Sequence, residues 1–211
     1  MRLSGNTILI TGGGSGIGLA FAERFINQGN QVIICGRREE NAGIQQRFSI
    51  LKADARDNWS YFSKEIRTNM EATIHLSMLF APLFAEKEKA TIINVTSGLA
   101  FTPAMFAPVY SATKAAIHSF TMSLRHQLTD SSIEVIEVVP PAVNTDLGGA
   151  GLHSQGVPLD AFADGIFKGL EEGQKEIGYG TSAKAMRMSR DEIDETGTRM
   201  YNLMKDMLDK L

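Results

Sequence analysis

The sequence predicts an α/β protein of doubly wound form, one parallel sheet with helices on both faces, in a single domain spanning 1–211. Three observations predict it. Short apolar runs alternate with helix-patterned stretches along the whole chain. Those runs are apolar throughout instead of alternating with polar residues, as strands covered on both faces are. The first run ends in a cluster of glycines directly before a helical pattern.

The elements follow in order. Asn6 to Thr11 (NTILIT) reads as a buried parallel strand. Ser15 to Gln28 carries Ile17, Ala20, Phe21, Phe25 and Ile26 at helical spacing, and Gly29-Asn30 supplies a stop. Gln31 to Gly36 (QVIICG) is a second strand, which completes a βαβ unit. Trp59 to Ala85 reads as a long helix with Pro82 as a kink or restart. Ala90 to Ser97 is a third strand, and Pro108 to Thr129 a periodic helix with Ile117, Phe120, Leu124 and Leu128 on one face. Ile133 to Val139 is a fourth strand, stopped by Pro140-Pro141. Leu159 to Leu170 is helical, Lys175 to Tyr179 a short strand, and Arg190 to Leu211 an amphipathic helix. A glycine-rich stretch precedes the Leu159 helix, and 146–160 is expected to act as a substrate lid.

Composition narrows the class of partner. The 211 residues suffice for one core, with 43% hydrophobic and 21% charged residues. A formal net charge of −3 excludes a strong electrostatic draw toward nucleic acid or acidic membranes, so neither is expected as a partner. A single cysteine, Cys35, excludes an internal disulfide. Neither a signal-peptide pattern nor a run of about 18 apolar residues occurs, and a cytoplasmic protein is expected.

Thr11-Gly12-Gly13-Gly14-Ser15-Gly16-Ile17-Gly18 joins the first strand to the first helix. Glycines let backbone approach a pyrophosphate closely, and the helix start presents free N–H groups. The spacing is Gly-xxx-Gly-x-Gly, a variant of the usual dinucleotide fingerprint. Gly12, Gly14, Ser15, Gly16, Ile17 and Gly18 are the candidate phosphate-binding residues.

Tyr110 and Lys114 stand four apart in Tyr110-Ser111-Ala112-Thr113-Lys114, on one helix face. A phenol titrates near 10, and a neighbouring ammonium lowers that value by favouring the phenolate. Tyr110 is then suited to move a proton near pH 7. Ser97 ends a strand thirteen residues earlier. In a parallel sheet the glycine turn, Ser97 and the Tyr110 helix start all meet at the strand C-termini, where ligands collect.

These residues together resemble the short-chain dehydrogenase/reductase family, and more narrowly its bacterial DltE-type reductases, over nearly the whole chain. TGGGSGIG (11–18) is similar to the family's cofactor loop, and YSATK (110–114) to its YxxxK motif. Asn41-Ala42-Gly43 resembles the end of its NNAG motif, Asn69 its helix asparagine, and Asn94-Val95-Thr96-Ser97 its serine-bearing strand. The segment from Val139 through Pro140, Val143 and Thr145 resembles the one that holds nicotinamide, with Pro141 where the family usually has glycine.

The resemblance implies a Rossmann-like fold and a hydride-transferring oxidoreductase acting on a carbonyl or secondary alcohol. It implies Tyr110 as general acid and base, and Ser97 as the hydrogen-bonding partner of the substrate oxygen. Lys114 is to hold ribose and tune Tyr110, and Asn69 to steady a water leading to Lys114. It also implies a homodimer or homotetramer built on the Trp59 and Pro108 helices. A dinucleotide-binding protein without turnover stays open as the alternative. Arg37 and Arg38 at the end of the second strand suit a 2′-phosphate, so NADP(H) is expected over NAD(H), with Glu39-Glu40 weighing against.

One departure stands out. The family places two further strand–helix units between the second strand and the NAG motif, about 40–50 residues by average element lengths. Here Glu40 runs directly into Asn41. The missing strands would be an edge strand and the central strand beside the first, and without the central one two strands would face a gap with unpaired backbone. The segment is absent from the sequence alone, or truly deleted, or replaced by another; the first is preferred. Asp54 and Asp57 resemble the family's adenine-contacting stretch but follow the NAG motif, and read instead as lead-in and cap of the Trp59 helix.

His75, His118, His126 and His153 form no metal pattern, and no metal is expected. His118 and His126 read as ordinary helix residues. The methionines near the C-terminus, Met186 to Met207, read as packing residues.

Overall fold

A computed structural model describes residues 1–35, 55–147, 151 and 153–208. Strand β1 (Thr7–Thr11), helix α1 (Gly16–Asn27) and strand β2 (Gln31–Cys35) form the expected βαβ unit. The strands pair in parallel, from Thr7 opposite Gln31 to Thr11 opposite Cys35. Asn30 turns the chain between α1 and β2. Its Nδ2 donates to the carbonyls of Phe25 (2.8 Å) and Leu3 (2.6 Å), and its Oδ1 accepts from the Asn6 backbone N–H at 3.0 Å.

The second half begins with α2 (Ala55–Ile66), a π-helical turn (Arg67–Glu71) and α3 (Ala72–Ala85), which run on without interruption. Strand β3 (Ala90–Val95), a 3₁₀ turn (Gly98–Ala100), α4 (Pro108–Gln127) and β4 (Ile133–Val139) follow. Then come α5 (Leu159–Glu171), β5 (Glu176–Gly178), α6 (Thr181–Ala185) and α7 (Arg190–Leu208). Strands β3, β4 and β5 pair in parallel in that order. No helix among the described residues is long and apolar enough to cross a membrane.

Helices cover both faces. On one, Phe21 and Phe25 of α1 meet Phe162 and Phe167 of α5, with ring centroids 4.7 Å apart for Phe25–Phe167 and 6.2 Å for Phe21–Phe162. Arg24 locks the two helices by reaching Asp160 (3.1 Å) and Asp164 (2.8 Å). On the other face Leu124 of α4 packs with Ile92, Ile133 and Val135 of β3 and β4.

Among the described residues the sheet is divided. Strands β1 and β2 make one sheet and β3–β4–β5 another, and no strand among the described residues joins β1 to β3. Leu9 in β1 and Val95 at the end of β3 are 43% and 37% exposed, where a continuous doubly covered sheet buries such positions.

Local readings are refined. The long helix starts at Ala55, so Asp57 lies inside it and is not its cap; Asp54 is outside the described residues. Pro82 sits within α3 without breaking it. Strand β3 ends at Val95, two residues before Ser97. Helix α6 is additional, and one residue explains it. Ser182 Oγ donates to the Val139 carbonyl (2.6 Å) and accepts from the Tyr179 N–H (3.0 Å), which pins a single turn that is too short to show a period.

Candidate active site

The glycine turn is built by backbone that other residues do not adopt. Gly12 has φ +73° and Gly16 φ +52°. The Gly12 N–H donates to the Cys35 carbonyl at 2.7 Å, which ties the turn to the end of β2. A Cβ on Gly18 would strike the Gly12 carbonyl oxygen, so α1 lies against the turn only because position 18 has no side chain. A Cβ on Gly14 would meet nothing within 4 Å. Ser15 caps α1 without a side-chain hydrogen bond to the helix. The first amides of α1 thus face an open, glycine-lined cradle, which fits a pyrophosphate.

Ser97 stands where β3 gives way to the 3₁₀ turn. It is buried, and its Oγ accepts from the Leu99 N–H at 3.2 Å. The Thr96 N–H donates to Val138 (2.9 Å) and the Gly98 N–H to Pro140 (2.9 Å), so backbone bonds to β4 and its exit hold Ser97 on both sides. The second bond also joins the serine turn to the segment expected to hold nicotinamide. In that segment Val143 is buried, and Thr145 lies 3.5 Å from the Cβ position of Gly16. Thr145 therefore adjoins the glycine turn from the segment that follows β4.

Helix α4 opens with Pro108, whose missing N–H costs nothing in a first turn. Tyr110 and Lys114 share a face, with Lys114 Nζ 5.6 Å from the Tyr110 ring centroid. Nζ donates to the Val95 carbonyl at 3.0 Å. Lys114 as a residue is partly exposed, yet burial of its ammonium end pushes its pKa down to about 8, against the pull of Glu65. Asn69 lies in the π-helical turn, a local geometry that recurs at functional positions. Its Nδ2 donates to Thr113 Oγ1 at 3.4 Å, next to Lys114, and its carbonyl accepts from Thr73 Oγ1 at 3.0 Å.

Asn69 and Lys114, together with Tyr110, thus lie along the first turns of α4, and Lys114 reaches the strand that leads into Ser97. The structure gathers Gly12, Gly14, Ser15, Gly16, Ile17 and Gly18 with Thr145 around the start of α1. Arg37, Arg38, Asn41, Ala42 and Gly43 lie outside the described residues. Among the described residues no cluster suited to a metal ion occurs.

Sequence reasoning passed over one group. Glu137, in the middle of β4, is fully buried. Its carboxylate meets His118 Nδ1 at 2.9 Å and accepts from Thr96 Oγ1 at 2.6 Å. A glutamate inside the apolar run IEVIEVV was the available signal, since a charge kept on a buried strand needs partners.

A family model described as short chain dehydrogenase matches in two stretches, 6–43 and 40–153, which meet where the two strand–helix units are absent. The oxidoreductase DltE of Bacillus subtilis (strain 168) is 38% identical over 226 residues, covering 84% of this chain and 89% of that protein. That match is longer than the 211-residue chain, so part of DltE has no counterpart here. A short chain dehydrogenase from Burkholderia cenocepacia J2315, solved in complex with NADP, superposes with a TM-score of 0.77 at 20% identity, covering 95% of this chain and 99% of that one. A short chain dehydrogenase/reductase from Burkholderia phymatum, in complex with NAD, gives 0.72 at 18% identity, covering 93% and 96%. With the fold, the turn and these relatives in agreement, the chain belongs to the short-chain dehydrogenase family of oxidoreductases.

Proposed function

We propose that the protein interconverts a carbonyl and a secondary alcohol with NADP(H), NAD(H) being the weaker cofactor. The observation that carries the reading is that Lys114, on one helix face with Tyr110, donates to Val95 at the end of the strand that leads into Ser97. When bound, the nicotinamide supplies or accepts the hydride at the substrate carbon.

The chain's own residues do the rest. Ser97 Oγ–H donates to the substrate oxygen and stabilises the charge that grows there. In reduction the Tyr110 hydroxyl gives its proton to that oxygen, and in oxidation the phenolate takes it back. The Lys114 ammonium favours the phenolate and bonds the ribose hydroxyls. Asn69 steadies a water leading toward Lys114. The backbone amides of Gly14, Ser15, Gly16, Ile17 and Gly18 bind the pyrophosphate, and Pro140, Val143 and Thr145 flank the nicotinamide.

Arg37 and Arg38 support NADP(H) by pairing with a 2′-phosphate, and Asn41, Ala42 and Gly43 complete the cofactor site. The stretch 146–160 closes over substrate as a lid. A parallel bridge between Val143 and Val157 supports this, because it anchors the far end of the stretch to the nicotinamide segment. Trp59, Met78, Leu79 and Leu83 are exposed on α2 and α3, and Met122 on α4, which supports a homodimer or homotetramer through these helices. A cytoplasmic setting is in keeping with the lone cysteine.

The test is nicotinamide fluorescence on titration with NADPH and with NADH, followed by Tyr110→Phe. The reading expects NADPH to bind more tightly, and the variant to keep that affinity while losing turnover by about 10²-fold or more. Normal turnover by the variant would sink the mechanism. Binding of neither dinucleotide would favour a protein without turnover, the reading to which the division between β1 and β3 among the described residues lends weight.

A further inference from the structure

We propose that Glu137 and His118 form a positioning pair that grips the Ser97 turn from both ends and fastens it to the helix carrying Tyr110 and Lys114. The proposal rests on the reading of Ser97 as the donor to the substrate oxygen.

The geometry is closed at every point. Glu137 sits on β4 between Ile136 and Val138, all fully or nearly fully buried. A carboxylate there is costly unless its oxygens are bonded, and an apolar residue of similar volume would serve packing alone at lower cost. Both of its oxygens approach His118 Nδ1, Oε2 at 2.9 Å and Oε1 at 3.1 Å. Oε1 also accepts from Thr96 Oγ1 at 2.6 Å, immediately before Ser97. On the far side of the same turn the Phe101 ring stands against His118, with centroids 4.4 Å apart. The pair therefore touches the residue before Ser97 and, through His118, the residue that closes the 3₁₀ turn.

His118 follows Lys114 by one helical turn and Tyr110 by two, so the three share a face of α4. The grip on the turn is thereby a grip on its distance from Tyr110. The hydrogen bond to Glu137 raises the His118 pKa above its ordinary value, which favours an imidazolium against the carboxylate. The other charges acting on His118 are Arg125 on α4 and Glu176 on β5, which are bound to each other at 2.8 Å. A positioning pair acts on catalysis through Ser97 and leaves dinucleotide binding alone, since its bonds run to Thr96 and its ring contact to Phe101.

The test uses His118→Phe, which keeps a ring against Phe101, and Glu137→Gln, which keeps an acceptor for Thr96. Each is compared with the unaltered chain in three ways: NADPH affinity by fluorescence, steady-state reduction of 9,10-phenanthrenequinone as probe, and amide hydrogen exchange without cofactor. The expected result is NADPH affinity within about twofold, kcat lower by about tenfold at nearly constant KM, and Leu99 exchange faster by about tenfold while Ile166 in α5 is unchanged. The double variant is expected to lose little more than either single one, as members of one unit do. Unchanged kcat with unchanged Leu99 exchange overturns the proposal. So does an equal acceleration at Leu99 and Ile166, which marks a merely structural role. If the unaltered chain does not reduce the probe, the functional reading fails for that carbonyl and the exchange arm alone decides: faster Leu99 exchange supports the pair, and no change overturns it.

Discussion

Lys114 Nζ donates to the carbonyl of Val95, 3.0 Å away, and that carbonyl lies on the edge of β3 opposite β4. The Thr96 N–H bonds β4, and backbone groups of successive strand residues point to opposite edges. Val95 therefore faces away from β4, toward the edge of β3 on which no strand pairs among the described residues. The one lysine expected in the chemistry is thus also the group that satisfies a stranded backbone acceptor.

The enclosure of that ammonium sets a pH dependence. With a pKa of about 8, Lys114 is charged below that pH and neutral above it. Carbonyl reduction with NADPH is expected to fall as pH rises through about 8, and Lys114→Met is expected to lose both the activity and that limb. Stability runs the other way. Between about 8 and the usual lysine value near 10.5, the unfolded chain holds a proton that the folded chain has released, so this group's contribution to stability increases with pH across that window. Urea midpoints of the two proteins from pH 7 to 10.5 check the sign, and a difference that does not change over that range refutes it.

His118 is expected to behave in the opposite sense. Its folded pKa is raised by the bond to Glu137, so the stabilisation is complete below about 6.5 and fades as pH rises through the folded value. The stability lost in His118→Gln should be largest at pH 5.5–6.5 and smaller at pH 9. A constant loss would mean that proton uptake at His118 does not accompany folding.

Gly18→Ala places a methyl group against the Gly12 carbonyl. The turn has to open, because the obstacle is backbone and not a flexible side-chain end. NADPH affinity is expected to fall by at least about tenfold, or about 1.4 kcal/mol, while β3, β4 and α4 keep their exchange protection. Fluorescence titration reads the first and hydrogen exchange the second; unchanged affinity would remove the turn from the cofactor site.

The junction of Glu40 with Asn41 makes its own prediction. If the two units are missing from the sequence alone, protein isolated from its source will exceed 23.0 kDa by roughly 5 kDa, the mass of about 40–50 residues. A mass equal to 23.0 kDa means a true deletion. In that case, inserting the corresponding stretch of DltE at this junction is expected to raise the unfolding temperature by covering Leu9 and Val95.

Much of this protein is written locally. The βαβ unit follows from apolar runs and a glycine turn, because strand and helix periods and the φ freedom of glycine are properties of short stretches. Tyr110 and Lys114 fall on one face because a helix repeats every 3.6 residues. The gap was legible too, as a count of strand–helix units too small for the motifs around it. What the sequence left unread is long-range. Whether Glu137 is a cost or a tie depends on His118, which is 19 residues away, and on Thr96, which is 41 away. The placement of Thr145 beside Gly16 joins the exit of β4 to the start of α1. That Lys114 meets the Val95 carbonyl depends on how α4 docks against β3, which no local pattern records. Local periodicity decides which residues share a face, whereas only the closed packing of sheet and helices decides which faces meet and which buried charge finds a partner.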